Sequence, residues 1–392
     1  MSPLVPSTTV DIFDETISFD PYDTYRSLRE AGAAVWQSDD EYWIISRYED
    51  LRAAGRNNED FISGSGVGHD SSFTQPDTQV LMSDPPTHTR LRGVLMDKLA
   101  PNKVRQLRSE IQLKVDAIVE AAVAAGTVDA VPSISQAVPI KVVGDLVGVP
   151  EEGRDLLIKG ADAVFSRFAP LTPSVEERLP HAGAYLAWIR DIALRGDLLE
   201  NSWGRALFEA HGRGDLGFDE LVASMSGFLV AGLDTTVNSI SSMLHIFAQQ
   251  PEVWTALQQD RSRIPAMFEE TLRFEPPVAG FFRRTARNVE IEGSQIQEGS
   301  RVFLCYASGN RDDRHYDDPD TFDLTRNPVD HLAMGHGIHT CVGGALARME
   351  AAALLNAMLD RVDSVHAAGE PVRWYNPLVR GFESLPITLI AK

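Results

Sequence analysis

The 392-residue chain is predicted to fold as a mainly α protein with a minor β region. Through most of residues 86–381, apolar residues recur at three- and four-residue spacing, which is typical of amphipathic helices. Within this region, residues 218–249 are apolar on nearly every side, as expected of a helix that runs through the middle of a protein. Short β-rich pieces are few and cluster late in the chain, so strands should form only a small part of the fold.

The order of elements follows from the same patterns. Helices are predicted at residues 21–31, 87–98, 104–125, 134–146, 151–165, 181–198, 218–249 and 342–359. A hairpin is predicted from the β-rich runs 34–37 and 42–46 around a polar turn, and three strands at 289–291, 301–304 and 387–390. Residues 55–80, rich in Gly, Ser, Asp and Thr, predict a long irregular loop, either a functional lid or a plain connection.

Domain organisation is predicted to be simple. We expect a disordered N-terminus at 1–14 and a single domain at 15–392, because no internal repeat or low-complexity linker divides that stretch. The 43% hydrophobic content is enough for a large core.

Charge and cysteine content narrow the function classes. A formal charge of −20 argues against nucleic acid or an anionic membrane as a partner. No stretch has the roughly twenty consecutive apolar residues needed to span a bilayer, and no secretory signal is expected at the N-terminus. The two cysteines, Cys305 and Cys341, fit a reducing compartment without disulfides, so a cytoplasmic protein is expected.

The glycine-rich segment 334–343 contains Cys341 immediately before an apolar helix. A thiolate at a helix N-terminus is stabilised by the helix dipole and by backbone N–H groups, and glycines allow the chain to fold closely around it. Such a thiolate suits the axial ligand of a haem iron, where its electron density favours O–O cleavage. The loop alone leaves three alternatives open: an inert buried thiol, a nucleophile, or a zinc cluster of His331, His336, His339 and Cys341.

The long central helix contains the sequence Ala-Gly-Leu-Asp-Thr-Thr at residues 231–236. Small residues allow close approach to the backbone, and threonines can bond carbonyls of the preceding turn and open the helix locally. Asp234 is costly in an apolar helix unless it is paired or used. The segment therefore indicates either a kinked core helix with a satisfied polar pair or a proton relay.

Two further charge patterns are less specific by themselves. Glu270 precedes Arg273 by three residues, as in an ordinary surface ion pair, although Arg326 in the segment 317–326 could complete a buried network. His88 and Arg92 lie four residues apart and so share one helical face. That face could bind a carboxylate-bearing cofactor or could be a solvated basic face.

Together these segments resemble a bacterial cytochrome P450 over residues 21–389. The loop MGHGIHTCVG is similar to the family's F-G-x-G-x-H-x-C-x-G signature, with Met334 in place of the phenylalanine. AGLDTT resembles the oxygen-activation segment, ETLR the E-x-x-R motif, DPPTHTRLR the helix after the flexible loop, and NRD with DDPDTFDLTR the meander. The motifs follow the family order, so the resemblance implies the P450 fold, with haem b (iron-protoporphyrin IX) between the central helix and the helix after the cysteine loop. It makes the zinc, nucleophile and inert-thiol alternatives minor.

The resemblance also implies roles for individual residues. Cys341 would be the iron ligand, and Asp234 and Thr235 the acid–alcohol pair that delivers protons for oxygen activation. Met334 keeps the volume but not the rigidity of the aromatic that shields the thiolate. The remaining haem contacts would come from His88, Arg92, Arg283 and His339 on the propionates and from Ala231, Met334 and Gly343. Glu270, Arg273 and Arg326 would form a structural network.

A closer likeness concerns the substrate. The segments GLDTTVNSI, FEETLRFEPPVAGFFRRTARNVE and VRGFESLP look similar to soluble bacterial P450s that O-demethylate small methoxy-aromatics. This likeness implies an O2-dependent monooxygenase acting on a small hydrophobic, aromatic substrate. Its pocket would be lined by Phe165, Phe168, Val230, Ala231, Val278, Phe281 and Phe282.

We expect a neutral methoxyphenol rather than a methoxybenzoate. Val230 stands where benzoate-binding relatives offer a hydroxyl, and no Lys or Arg lies between Arg56 and Arg90 to pair with a buried carboxylate. Hydroxylation of a terpenoid or other small hydrophobe is the alternative within the class. A non-catalytic haem gas binder is the alternative outside it, but it would not need the Asp234–Thr235 pair.

Electrons are expected from a ferredoxin and a ferredoxin reductase, because the chain shows no flavin or iron–sulfur region. Residues 90–114 contain seven basic residues against two acids in an otherwise acidic chain. These are Arg90, Arg92, Lys98, Lys103, Arg105, Arg108 and Lys114. They predict a docking face for an acidic partner, or alternatively cofactor contacts and solvated helices.

Overall fold

The computed structural model describes residues 5–70 and 77–392, and the fold is mainly helical as predicted. The helices are α1 (Glu15–Ser18), α2 (Tyr22–Ala31), α3 (Tyr48–Arg56), α4 (Thr87–Leu99), α5 (Pro101–Val104), α6 (Arg108–Ala125), α7 (Ala137–Val147), α8 (Leu156–Ser166), α9 (Pro173–Arg195), α10 (Trp203–Gly212), α11 (Phe218–Gln249), α12 (Pro251–Gln259), α13 (Ile264–Phe274), α14 (Tyr306–Gly309) and α15 (Gly344–Arg361).

The central helix α11 has the bounds that its apolar pattern predicted. Asp219 and Glu220 lie in its first turn, where carboxylates interact favourably with the helix dipole, and Glu220 accepts the N–H of Gly217 at 2.8 Å. The helix packs against α7, α8, α9, α10, α12 and α13. This position explains why it is apolar on nearly every side.

The strands are β1 (Ser7–Thr8), β2 (Ala34–Gln37), β3 (Tyr42–Ile45), β4 (Phe61–Ile62), β5 (Thr127–Asp129), β6 (Phe281–Thr285), β7 (Val289–Ile291), β8 (Ser294–Ile296), β9 (Arg301–Leu304), β10 (Val362–Ala367), β11 (Val372–Trp374), β12 (Gly381–Ser384) and β13 (Pro386–Ala391). The main sheet has the order β1-β2-β3-β9-β6-β4. Smaller sheets have the orders β10-β13-β5, β11-β12 and β7-β8. The predicted hairpin is the antiparallel pair β2–β3.

The prediction of a disordered N-terminus is wrong for residues 5–14, while residues 1–4 lie outside the described residues. β1 pairs in parallel with β2, and Ile12 and Phe13 are buried in the core. The ring of Phe13 lies 5.2 Å from that of Phe303 on β9 in an edge-on arrangement. The segment is ordered because it adds a strand to the sheet and two side chains to the core. The single domain at 15–392 stays a prediction.

The predicted irregular loop at 55–80 is partly regular. Residue 56 ends α3, and β4 pairs with β6 through Phe61 and Ile62. Asp84 accepts the N–H groups of Ser63 and Gly64 at 3.0 and 2.7 Å, and residues 80–82 form one 3₁₀ turn. Residues 71–76 of this loop lie outside the described residues. No helix in the described parts of the chain is long and apolar enough to cross a membrane.

Candidate haem and substrate site

The cysteine loop, residues 334–343, folds back on itself just before α15. The N–H of Cys341 donates to the carbonyl of Met334 at 2.7 Å. Gly335 and Gly337 have φ values of +69° and +74°, which favour glycine over any other residue. The thioether of Met334 lies over the start of α15, where a Cβ at Gly344 would come within 3.1 Å of its sulfur.

The surroundings of the Cys341 sulfur combine opposing effects. Desolvation raises the pKa of the thiol, and it outweighs the N–H of Gly343 and the guanidinium groups of Arg348 and Arg92, which lower the pKa. Backbone N–H groups and nearby cations of this kind stabilise a thiolate. Cys305, in contrast, is fully buried, and burial raises its pKa to about 12, so it is an inert core thiol.

Glu269 ties the cysteine loop to two helices, and sequence reasoning missed it. From α13, its carboxylate accepts two hydrogen bonds from Arg348 of α15, at 2.6 and 2.9 Å, and lies 3.1 Å from Nε2 of His331. Burial alone would raise the pKa of Glu269, but these partners lower it to about 2. In the sequence Glu269 is simply the residue before the ETLR motif, and nothing local distinguishes it from a surface glutamate.

The structure brings Glu270, Arg273 and Arg326 into one buried network. Glu270 and Arg273 have no exposed side-chain surface and share two hydrogen bonds of 2.7 Å. Nε of Arg326 lies 3.4 Å from the same carboxylate. Arg273 also donates to the backbone carbonyls of Asn310, Pro319 and Thr321. The ion pair is therefore buried rather than at the surface, and it fixes the meander against α13.

Two predicted propionate ligands, His88 and His339, lie in contact. Their ring centroids are 4.7 Å apart, in an edge-on arrangement. Nε2 of His339 lies 3.0 Å from the hydroxyl of Ser63, a residue that sequence reasoning did not select. Nε2 of His88 and Nδ1 of His339 are buried and have no hydrogen-bond partner among residues 5–70 and 77–392. Buried nitrogens of this kind call for a polar ligand.

Arg92 and Arg283, the other two predicted propionate ligands, lie beside this pair. The pKa of His339 is lowered to about 2, chiefly by burial and then by the charges of Arg283, His88 and Arg92. The two guanidinium groups donate to backbone carbonyls, those of Thr340 and Phe282. Within residues 5–70 and 77–392, neither has a carboxylate within 4 Å. The cluster is thus rich in cations and donors and suits carboxylates.

Ala231 on α11 and Cys341 in the cysteine loop both have accessible surface. Ala231 is exposed although its helical neighbours Val230 and Leu233 are buried. Cys341 is also exposed, and α11 packs against α15. Ala231 and Cys341 are the two positions at which haem would contact α11 and the cysteine loop, and neither is filled by core side chains.

Asp234 and Thr235 lie in the middle of α11, one helical turn after the exposed Ala231. The hydroxyl of Thr235 donates to the carbonyl of Ala231 at 2.7 Å. Asp234 accepts from Asn238 at 3.2 Å, while its Oδ2 is buried without a partner. Burial and the nearby carboxylate of Asp162 raise the pKa of Asp234 to about 8, against the opposing hydrogen bond from Asn238. The carboxyl is therefore largely protonated at neutral pH.

Asp162 is a second acid that sequence reasoning missed. From α8, its carboxylate accepts from Arg178 at 3.0 Å, from Trp374 at 2.8 Å and from Asn376 at 2.7 Å. These partners come from α9 and from the C-terminal segment, so one buried carboxylate holds three parts of the chain together. Its partners are more than ten residues away in sequence, which leaves no local signal.

Three of the predicted pocket phenylalanines form a row. The rings of Phe165 and Phe168 are 6.2 Å apart, and those of Phe168 and Phe281 are 6.0 Å apart, both edge-on. Val230 and Val278 are buried, and Val278 forms an isolated β-bridge with Val379.

Phe282 is a correction to the predicted pocket. It lies on β6 between Phe281 and Arg283, and successive side chains of a strand point to opposite faces. Its ring packs on the other face of the sheet, 5.0 Å from Phe303 and 6.0 Å from Phe13, and it is fully buried there. Phe282 is therefore a core residue.

The zinc alternative has no support in the geometry. Nε2 of His336 accepts from Arg56 at 2.8 Å, and His331 is held by Glu269. Among the described residues, no group of three or more His, Cys, Asp or Glu could hold a metal ion.

Comparisons with known proteins agree with this geometry. The family model described as Cytochrome P450 matches residues 196–372. Cytochrome P450 CYP199A2 of Rhodopseudomonas palustris is 35% identical over 391 residues, covering 98% of this chain and 95% of the relative. The chain belongs to the cytochrome P450 family.

Other P450s share most of the chain's length. The cytochrome P450 monooxygenase PikC of Streptomyces venezuelae is 32% identical, covering 97% of this chain and 94% of that protein. The crystal structure of epothilone D-bound cytochrome P450epoK superposes with a TM-score of 0.87 at 26% identity, covering 98% of this chain and 99% of that one. This P450 is accordingly a monooxygenase, and like other members of its family it binds haem b through a cysteine thiolate.

The residues present fit haem b. The four cationic or donor side chains around His339 include two buried nitrogens without partners, as two propionates require. Ala231 on α11 and Cys341 just before α15 are both exposed, as residues that contact a bound haem would be in its absence. When bound there, haem supplies the centre at which dioxygen is activated.

Proposed function

We propose that this P450 O-demethylates a small, neutral methoxyphenol or related aryl ether. The row of edge-on rings Phe165–Phe168–Phe281 supports this best, because single aromatic rings are bound well by edge-to-face contacts. α8, which contains Phe165, packs against α11, so the row adjoins the helix that contains Ala231.

In the proposed reaction, the methyl carbon of the ether is hydroxylated and the resulting hemiacetal collapses. One atom of O2 enters the methyl group and the other leaves as water, consuming two electrons and two protons. The hemiacetal then releases the phenol and formaldehyde, which needs no further oxidant.

Cys341 is the proposed thiolate ligand, and His88, Arg92, Arg283 and His339 the proposed propionate ligands. Asp234 is the proposed proton donor, because its Oδ2 is buried, free of partners and raised in pKa to about 8. The Thr235 hydroxyl donates to the carbonyl of Ala231, so its lone pairs can accept that proton. A donor whose pKa lies near the working pH is well suited to repeated proton transfer.

The preference for a neutral ring depends on the lack of basic residues between Arg56 and Arg90. One basic residue outside that stretch, Arg167, stands between Phe165 and Phe168 in the chain, and burial lowers its pKa. Its ability to pair with a substrate carboxylate needs a direct test. A methoxybenzoate must therefore be compared with the phenols.

The experiment is a titration of the purified haem protein with guaiacol, syringol and 4-methoxybenzoate, followed by product analysis. We expect a low-to-high-spin shift with a phenol and one formaldehyde per substrate turned over. Before the titrations, the reduced, CO-bound protein should show the long-wavelength Soret band of a thiolate-ligated haem, which establishes that the cofactor is bound. If none of the compounds perturbs the spectrum or yields formaldehyde, the O-demethylase proposal fails. Tighter binding of 4-methoxybenzoate than of the phenols would overturn the preference for a neutral ring.

We also propose that electrons come from a ferredoxin, which its reductase reduces. Of the seven basic residues in 90–114, Arg90 pairs with Glu220, Lys114 with Glu110 and Asp145, and Lys98 with Asp97. Arg92 donates a hydrogen bond to the carbonyl of Thr340 in the cysteine loop. The remaining residues, Lys103, Arg105 and Arg108, are exposed and have no acidic partner within the described residues. These three, named the basic patch, are the proposed docking cations.

A further inference from the structure

The side-chain amide of Asn238 holds Asp234 at two points on α11. Its Nδ2 donates to the backbone carbonyl of Asp234 at 2.8 Å and to Oδ1 of the carboxyl group at 3.2 Å. The second carboxyl oxygen, Oδ2, is buried and has no hydrogen-bond partner among residues 5–70 and 77–392. One amide therefore fixes the backbone and one carboxyl oxygen of Asp234 and leaves the other oxygen unbonded.

Gly381 on β12 lies directly against this amide. β12 packs against α11, and both Gly381 and Asn238 are buried. A Cβ at Gly381 would overlap Oδ1 of Asn238 and lie 2.5 Å from its Cγ, and the three atoms nearest to that Cβ all belong to the Asn238 amide. Pairing with β11, where Gly381 stands opposite Trp374, holds the strand in place. Glycine is therefore required for this close approach of the strand to α11.

The contact with Gly381 bears on the orientation of the Asn238 amide. The donor side of the amide bonds Asp234, while its acceptor, Oδ1, lies towards Gly381. The last side-chain torsion of an asparagine has a broad energy minimum, so the amide needs a packed surface to stay in one orientation. β12 supplies that surface at Gly381.

We propose that Gly381 is a positioning residue for Asp234, which it holds in place through the amide of Asn238. This inference rests on the proposed role of Asp234 as proton donor and adds the C-terminal strand β12 to the parts of the chain that support it. Asp162 on α8 is the charged group that also acts on Asp234, and the variants described below leave it unchanged.

An alanine at position 381 should push the Asn238 amide aside, because the end of a side chain moves more easily than a paired strand. The carboxyl of Asp234 then loses the hydrogen bond from Asn238. That hydrogen bond lowers the pKa of Asp234, against burial and the charge of Asp162, which raise it. Asp234 should therefore keep its proton to higher pH in Gly381→Ala, and also in Asn238→Ala.

The first experiment follows the Asp234 carboxyl band in infrared spectra of the substrate-free holoenzyme. Each protein is compared with the same protein carrying Asp234→Asn in addition. Gly381→Ala and Asn238→Ala should each raise the titration midpoint of the band by about 0.5–1 pH units. Adding Gly381→Ala to Asn238→Ala should cause no further shift, because the side chain through which it acts has been removed. The matched control is Gly183→Ala on α9, where a Cβ has open space and the midpoint should stay that of the wild type.

The second experiment measures the thermal unfolding midpoints of the same proteins. Gly381→Ala should lower the midpoint by less in the Asn238→Ala background, which removes the atoms that the new Cβ would meet. If Gly381→Ala alone does not fold, recovery of the folded protein in the double variant is the equivalent result. Equal losses in both backgrounds, or an Asp234 band that titrates in Gly381→Ala as it does in the wild type, would overturn the proposal.

Both measurements are made without turnover, which separates this proposal from the proposed function. If Asp234→Asn keeps full turnover, the proton-donor role of Asp234 fails, whereas the link from Gly381 to Asp234 is still decided by the infrared and unfolding data.

Discussion

The carboxyl groups of Asp234 on α11 and Asp162 on α8 interact electrostatically, but their hydrogen-bond partners are very different. Asp162 is held by Arg178 and two further donors, whereas Asp234 accepts a side-chain hydrogen bond from Asn238. The charge of Asp162 therefore helps to keep Asp234 protonated. Asp162 is thus fixed by its donors, while Asp234 keeps its proton at neutral pH, as its proposed role of proton donor requires.

The first prediction is spectroscopic. A protonated-carboxyl band that is present in the wild type and lost in Asp234→Asn should titrate near pH 8 in the difference infrared spectrum, from which the buried Glu350, whose pKa is also raised to about 8, cancels. Asp162→Asn removes the neighbouring charge and should move that titration to lower pH. The control is Trp374→Phe, which removes one hydrogen bond to Asp162 but keeps its charge, and should leave the titration close to that of the wild type. A band that titrates alike in wild type and Asp162→Asn would contradict the coupling.

The second prediction concerns stability and pH. Between the ordinary value of 3.8 and about 8, folded Asp234 binds more protons than unfolded Asp234. Its contribution to the free energy of unfolding therefore falls as pH rises through this window and levels off above it. Asp234→Asn should flatten this part of the profile, measured as unfolding midpoints from pH 5 to 9. An unchanged slope would show that Asp234 is ionised throughout.

The third prediction concerns the buried Glu270–Arg273 pair. Glu270→Ala leaves the Arg273 guanidinium buried without its carboxylate and should destabilise the protein by about 3–5 kcal/mol. Asp191→Ala, which breaks an exposed pair with Arg195, should cost less than about 1 kcal/mol. Denaturant unfolding of the two variants, each with haem bound, measures the difference. Similar losses of unfolding free energy in the two variants would mean that burial of an ion pair does not decide the cost of breaking it.

Some residues of the fold and of the candidate site could be predicted from the sequence, whereas others could not, for a physical reason. The α11 pattern repeats over nine turns, so its bounds and the place of Asp234 follow from local periodicity. Asp162, Glu269 and Ser63 can be recognised as site residues only from hydrogen-bond partners that lie far away in the sequence. The buried N-terminal residue Phe13 is likewise ordered by long-range contacts, with Phe303, rather than by its own composition.

The misplacement of Phe282 has a more specific origin. Residues 281–285 were not identified as a strand, so the alternation of side chains between faces was not applied to them. Once β6 is recognised, Phe281 and Arg283 share one face and Phe282 takes the other. The same alternation would have kept Phe281 in the predicted pocket and excluded Phe282 from it.

The fourth prediction tests the basic patch. Lys103→Glu, Arg105→Glu and Arg108→Glu should each slow reduction by an acidic [2Fe–2S] ferredoxin several-fold at low salt, because each reverses one exposed charge. The wild-type rate should fall with added salt, and the variants should depend on salt less steeply. Lys159→Glu, an exposed charge on α8 outside the patch, is the control. Wild-type rates in all three variants would exclude this surface as the docking site.

The fifth prediction uses two neighbouring residues on opposite faces of β6. Phe281→Ala removes a ring that contacts Phe168 and should weaken binding of the aryl substrate about tenfold, since 1.4 kcal/mol corresponds to a factor of ten. Phe282→Ala opens a cavity among core rings and should lower the free energy of unfolding by about 3–5 kcal/mol. Spin-state titration and denaturant unfolding of the two variants separate these effects. If Phe282→Ala weakens substrate binding as much as Phe281→Ala does, or if Phe281→Ala leaves affinity unchanged, the proposed aromatic row is not the substrate wall.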